Sequence, residues 1–160
     1  MMINEYGGEY IMWHIKKYDQ LQLTELEQIL KLRQSIFILE QESFFEDIDG
    51  NDQEAIHIFN KENGKVWAYT RILEYENHVI LARVTVDKEK RGDGSGRKLL
   101  EYALNYLEDE FPTKDVHIVA MSYLRNFYQS FGFKTISEVY YMDNDPHEDM
   151  ILTRLSDEVK

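Results

Sequence analysis

The chain has 160 residues, of which 43% are hydrophobic, 13% aromatic and 30% charged, with a formal net charge of −12 and no cysteine. That length and composition suit one globular domain around one core, and they exclude a disordered chain, a disulfide scaffold, a thiolate nucleophile and a cysteine-based zinc site. The acidity argues against nucleic acid and anionic membranes as partners and leaves a cationic partner, such as an amine, open.

No apolar run nears the roughly 20 residues that a membrane span needs. The first ten residues are polar, with adjacent Gly7 and Gly8 and no apolar stretch of the secretory kind. Residues 1–11 are expected to form a flexible extension to a single domain over residues 12–160, in the cytoplasm.

Met12 to Tyr18 reads as a short strand. Thr24 and Glu27 have the spacing of a capping box, and Leu26, Ile29, Leu30, Arg33 and Phe37 follow helical periodicity, so a helix is expected from Thr24 to near Phe37. An acidic loop over residues 44–54 comes next. Ile56 to Asn60 and Val66 to Tyr75 read as strands joined by the hairpin turn Glu62-Asn63-Gly64. Val79 to Val86 is the strongest strand signal. Its alternation puts Ile80, Ala82, Val84 and Val86 on one face and Val79, Leu81, Arg83 and Thr85 on the other, both largely apolar, so both should be covered. A glycine-rich loop then opens into a helix with a stripe of Leu99, Leu100, Ala103, Leu104 and Leu107. Val116 to Ala120 is a short buried-type strand. Ser122 can cap a helix carrying Leu124, Phe127, Tyr128 and Phe131, and Gly132 suits the left-handed position past its end. Lys134 to Met142 and Met150 to Leu155 are the closing strands. The order predicts an α+β domain: a mixed sheet, mostly antiparallel from its hairpins, with helices on both faces.

The loop Arg91-Gly92-Asp93-Gly94-Ser95-Gly96 carries the clearest chemistry. Three glycines let backbone N–H groups approach a ligand, and a helix start favours phosphate or pyrophosphate through its open N–H groups and dipole. Lys88, Lys90, Arg91, Arg97 and Lys98 make this stretch locally basic within an acidic chain. The spacing fits neither a Walker loop nor a dinucleotide-binding Gly-x-Gly-x-x-Gly. The acidic run Asp47-Ile48-Asp49-Gly50-Asn51-Asp52 invites a calcium reading, but position six would be Asp52 and position twelve Ile58, so no metal site is expected.

Arg-x-x-Gly-x-Gly at residues 91–96, after a strand ending Val84-Thr85-Val86, resembles the acetyl-CoA loop of the GCN5-related N-acetyltransferase (GNAT) superfamily. Asn126-Phe127-Tyr128 followed by Phe131-Gly132-Phe133 looks like its second cofactor motif. Arg33, Phe37, Glu40-Gln41, residues 49–52, His57, residues 68–71 and residues 82–84, with His147 and Met150 near the end, resemble the ElaA-like acetyltransferases within it. The match spans nearly all of Trp13 to Leu152. It departs at Asp93, an acid in an anion-binding loop expected to turn to solvent, and at Ser95, where relatives usually carry an aliphatic residue.

The resemblance implies the acyl-CoA N-acyltransferase fold and direct attack of an amine, on a small molecule or peptide, at the thioester of acetyl-CoA. It implies that Val84, Thr85 and Val86 pair with the pantetheine arm, that residues 91–97 (Arg91, Gly92, Asp93, Gly94, Ser95, Gly96 and Arg97) with Asn126 and Tyr128 hold the cofactor, and that Tyr128 is the general acid. A tyrosine keeps its proton at neutral pH and can give it to a departing thiolate. Glu40, His57 and His147 are candidate bases, Glu40 foremost. Arg33, Glu40, His57, Arg71 and Arg83 are candidate acceptor-binding residues, although arginines in apolar strands can equally pair with Glu40 or Asp49. Two other readings stay open, an acyl-homoserine-lactone-synthase-like acyltransferase and a non-catalytic acyl-CoA sensor. The closing strands offer a surface for a homodimer.

Overall fold

A computed structural model describes residues 13–154; the expected extension over residues 1–11 lies outside them, as do residues 12 and 155, which the outermost expected strands included. Eight strands and three helices run in the order β1 (Trp13–Lys17), α1 (Leu23–Arg33), β2 (Ile56–Glu62), β3 (Lys65–Glu74), β4 (His78–Val86), α2 (Ser95–Glu110), β5 (Asp115–Met121), α3 (Arg125–Gln129), β6 (Lys134–Thr135), β7 (Tyr140–Met142) and β8 (Asp145–Leu152). One sheet orders them β1-β2-β3-β4-β5-β8-β6, with β7 also on β8, and only β4 and β5 pair in parallel. This is the expected mixed, mostly antiparallel sheet. Among the described residues, no helix is long and apolar enough to cross a membrane.

Each face has its own core. On one side the α2 stripe of Leu99, Leu100, Ala103, Leu104 and Leu107 packs with Ile58, Ala68, Ile72, Val79, Val116 and Met150. On the other, Ile29 and Leu32 of α1 pack with Ile36, Phe59, Val66 and Tyr69. Burying both faces explains why β3 and β4 read as near-continuous apolar runs.

The helix expected at residues 24–37 starts one residue earlier and continues further. The backbone N–H of Gln22 donates to Glu25 Oε1 at 2.9 Å, so Glu25, not Glu27, closes the first turn. The competing signal was tertiary: Glu25 is buried and ion-paired to Lys16 and Lys61 from the strands below. After Arg33 the chain continues as a π-helical stretch, Gln34–Glu40, instead of stopping near Phe37. A π segment widens the helix by one residue per turn and often marks a functional site.

The closing region also differs. The strand expected over residues 134–142 is two short strands, because Ser137 takes up β8 with a side chain: the Asp149 N–H donates to Ser137 Oγ at 2.8 Å. Strand β8 starts at Asp145, five residues before the expected Met150. Pro146 is the second residue of β8, near the strand start, where proline is tolerated. Asp143 and Asn144, both at positive φ, form the two-residue turn joining β7 to β8.

Candidate active site

Strands β4 and β5 are hydrogen-bonded only at their start, His78–Ile80 against Asp115–His117. Beyond those pairs they separate, and the inner edge of each is left without a strand partner. The opening is filled by two cavities that meet. One, of about 550 Å³, is lined by Val84, Thr85, Val86, Arg91, Gly92, Gly94, Ser95, Gly96 and Arg97, with Phe127 and Tyr128 on the far wall. The other, of about 410 Å³, runs down between the strands and under the 41–45 loop. Gln41, Val84, Tyr123, Leu124 and Tyr128 line both.

A bulge in β4 shapes this wall. Tyr69 pairs with Thr85 and Arg71 with Ala82, so Arg83 and Val84 together face Thr70. Arg83 sits at φ +57°, a conformation that a bulged strand accommodates. Two hydroxyls serve the carbonyls there: Thr70 Oγ1 donates to the Ala82 carbonyl at 2.9 Å, and Thr85 Oγ1 lies 3.1 and 3.0 Å from the carbonyls of Tyr69 and Arg83. The bulge reverses the alternation expected for this strand. Val79 and Leu81 before it and Val84 and Val86 after it all face the α2 core.

The glycine loop turns on left-handed backbone. Gly92 and Gly94 are left-handed, at φ +85° and +87°. A Cβ at either would meet nothing within 4 Å, so backbone conformation, not space, demands glycine. The first helical bond runs from Lys98 N–H to the Gly94 carbonyl at 3.0 Å, so the N–H groups of Gly96 and Arg97 precede it and lack helical partners. Asp93 is exposed and absent from the cavity lining. Its Oδ1 accepts from the backbone N–H of Ser95, at 3.0 Å, and from the Ser95 hydroxyl. The two departures from the family pattern are thus one feature: Asp93 caps α2, and Ser95, buried under it, supplies the partner.

Arg91 lies at the mouth and reaches 51 residues back to Glu40, making a two-pronged ion pair at 2.5 and 2.7 Å, while its Nε donates to the Val86 carbonyl. This contact holds the Glu40 carboxyl below its usual range. Arg97 lies 4.5 Å over the Phe131 ring and donates to Ser130 Oγ at 2.6 Å. Asn126 is exposed and is not among the residues lining either cavity. Tyr128 is buried between Phe127 and Phe133, and burial pushes its phenol up to about 12. Its hydroxyl makes no hydrogen bond among the described residues.

Of the three arginines, Arg33 and Arg71 are interior and engaged. Arg33 binds Asp47 through Nε at 3.0 Å and Asp52 through Nη1 at 2.8 Å; Arg71 binds Asp49 at 2.6 Å and Asp52 at 2.9 Å. Arg83 lines the smaller cavity, binds Asp47 at 2.8 Å and lies 5.0 Å over Phe45. The acidic loop is therefore bound down by guanidinium groups, and its carboxylates are occupied. Arg71 chiefly holds Asp49 well below the carboxylate range, and for Asp52 the paired arginines outweigh a burial that pushes it up.

His57 is buried with both ring nitrogens occupied. Nε2 lies 2.8 Å from the Asp52 carbonyl, which only accepts, so Nδ1 accepts from the Tyr69 hydroxyl at 2.7 Å. Burial pushes its pKa down, so it stays neutral. The structure thus brings Arg83, Val84, Thr85, Val86, residues 91–97 apart from Asp93, and Tyr128 to one cleft, with Glu40 at its mouth through Arg91. It places Arg33, His57, Arg71 and Asn126 outside the lining. Sequence reasoning missed Phe45, Val119, Met121, Tyr123, Met142 and Asp143, which line the smaller cavity from the 41–45 loop, from β5 and the residues after it, and from the end of β7 and its turn.

A family model described as an acetyltransferase (GNAT) domain matches residues 22–154. The Escherichia coli protein ElaA is 36% identical over 142 residues, covering 86% of this chain and 93% of ElaA. Its crystal structure gives a TM-score of 0.84 over 88% of this chain and 99% of that one. The crystal structure of an acyl-CoA N-acyltransferase from Pseudomonas aeruginosa is 32% identical, with a TM-score of 0.85 over 89% of this chain and 99% of that one. A GNAT family acetyltransferase from Elizabethkingia anophelis, crystallised with acetyl-CoA bound, shares the fold at 16% identity and a TM-score of 0.62 over 88% of this chain and 94% of that one.

Proposed function

This chain belongs to the acetyltransferase (GNAT) domain family, and on that premise we propose that it is an acetyl-CoA-dependent N-acetyltransferase acting on a primary amine of a small molecule or peptide. The observation that carries the reading is Tyr128, which lines both cavities where they meet. The larger cavity fits CoA: left-handed glycines, open N–H groups at the start of α2 and two arginines suit a pyrophosphate. Gly94, Gly96, Arg91 and Arg97 would hold it, and the unpaired edges of β4 and β5 offer backbone partners for the amides of the arm. When bound, the cofactor supplies a thioester whose acyl carbon an amine can attack.

The chain's own residues supply position and protons. The smaller cavity takes the acceptor. Its walls are largely apolar, Phe37, Phe45, Val119, Met121 and Met142 among them, with Asp143 at one side. Arg83, the one arginine in its lining, is already paired to Asp47. A cationic or neutral amine with an apolar body suits that lining better than an acidic one. Tyr128 gives its proton to the departing thiolate, and its raised pKa keeps that proton in place at neutral pH. We place the activity in the cytoplasm, where acyl-CoA donors are made and used.

Melting the protein with and without acetyl-CoA, then following thiol release over a panel of amines, tests the reading. Stabilisation with turnover on apolar amines is expected. No stabilisation sinks the proposal, and stabilisation without turnover on any amine makes the chain an acyl-CoA-binding sensor instead.

A further inference from the structure

We propose that His147 is the general base of the reaction, taking the acceptor's proton on Nε2. This rests on the acetyltransferase reading above. An amine arrives as an ammonium and must lose a proton before its lone pair can attack, so a base is needed within reach of the acceptor cavity. Three candidates stand out in the sequence. His57 has both nitrogens occupied in the interior. Glu40 has both oxygens on Arg91, which weakens it as a base. His147 lines the acceptor cavity, half-buried, on the same wall as Met121, its partner across β5 and β8.

The hydrogen bond that His147 makes decides its chemistry. Nδ1 lies 2.8 Å from the Asp145 carbonyl. A carbonyl only accepts, so Nδ1 carries the hydrogen, and in the neutral ring the lone pair is then on Nε2. Nε2 has no hydrogen-bond partner among the described residues. The ring stacks on Tyr140 at 6.4 Å, and Tyr140 is itself held by Asp149 at 2.5 Å. Asp145 is tied across the cavity mouth by Ser43 at 3.2 Å. Tautomer and orientation are thus both set by surrounding structure.

The charged and titratable groups around this ring are Asp143, Tyr123 and Arg83, which line the same cavity, and Tyr140, on which it stacks; Asp145 touches it through its backbone carbonyl. Nε2 takes one proton from the ammonium. The nitrogen lone pair forms the C–N bond, the C–S bond breaks, and Tyr128 protonates the leaving sulfur. The second proton of the new amide nitrogen returns to the Tyr128 oxygen, and His147 releases its proton to solvent, so the reaction yields one proton in all.

The test is His147→Asn, whose amide can still donate to the Asp145 carbonyl but has nothing in place of Nε2. Acetyl-CoA is expected to raise its melting temperature as it does the parent's. With an amine that the parent acetylates, kcat should fall by about 10²–10⁴-fold with little change in the KM for acetyl-CoA. The acidic limb of the parent's kcat/KM profile should disappear, and added imidazole should restore part of the rate. Nitrogen-15 NMR of the parent should show the ring proton on Nδ1. A variant that keeps the parent's kcat and acidic limb, or a ring proton found on Nε2, overturns the inference and leaves the acetyltransferase reading intact. A parent that binds acetyl-CoA but acetylates no amine overturns both.

Discussion

At the scale of single residues, the site separates proton chemistry from charge pairing. Tyr128 has an aromatic cage and an open hydroxyl; Glu40 has an arginine on both oxygens. Burial raises the phenol and Arg91 lowers the carboxyl, so one residue is set to hold a proton and the other to stay ionised. Replacing Tyr128 by Phe removes the donor while keeping the ring that packs between Phe127 and Phe133. The expected result is a fall in kcat of about 10²-fold with acetyl-CoA stabilisation unchanged, read by steady-state kinetics beside thermal melting. Asp93 shows how a residue that contradicts a motif can serve it. It points its charge at the helix start from the solvent side, where an acid is favourable, and leaves the N–H groups of Gly96 and Arg97 open.

At the scale of elements, the site is made where regular structure is interrupted: the β4 bulge, the π-helical stretch after α1, and the glycine turn before α2. The glycines of that turn are not equivalent. Gly94 is left-handed, while Gly96 is helical and a Cβ there would sit 3.9 Å from the Phe127 ring. Gly94→Ala should therefore destabilise the fold by about 1 kcal/mol, a drop of roughly 2–4 °C, and weaken acetyl-CoA binding as the turn shifts. Gly96→Ala should leave stability equal or slightly higher, since alanine suits a helical position better by roughly 0.5–1 kcal/mol. Urea melts of the two variants check this contrast in sign.

At the scale of the molecule, buried charge joins distant parts of the chain. The 47–52 loop is held by arginines from α1, β3 and β4, and Glu25 holds Lys16 of β1 and Lys61 of β2. Burial pushes the Glu25 carboxyl up, but the Gln22 N–H and the two lysines outweigh it and leave it at about 2. A carboxyl whose pKa is lower folded than unfolded stabilises fully above its unfolded value of about 4.5, and that stability is lost as pH falls towards 2. Asp49 and Asp52 act in the same direction. Folding free energy, measured by urea titration, should decline steeply below about pH 4.5. Glu25→Gln should lower stability at pH 7 by roughly 2 kcal/mol and flatten that decline.

How much of this was legible in the sequence follows from the range of the forces involved. The glycine turn, the Asn63-Gly64 hairpin, the α2 stripe and the order of strands all depend on neighbours within a few residues. Period, turn chemistry and φ preference are local, so they show in the string. The position of Tyr128 near the glycine loop came from a motif, not from a period. What was not legible is set by contacts across tens of residues: Glu25 displacing Glu27 as the capping acid, Arg91 reaching Glu40, and a bulge that turns Val84 and Val86 to the face of Val79. The sequence by itself determined the sheet, its helices and the glycine turn. Only the tertiary structure decided which charged residues reach the cleft. A charge taken out of water must find a partner wherever the fold places one, and Arg33 and Arg71 found theirs in the interior.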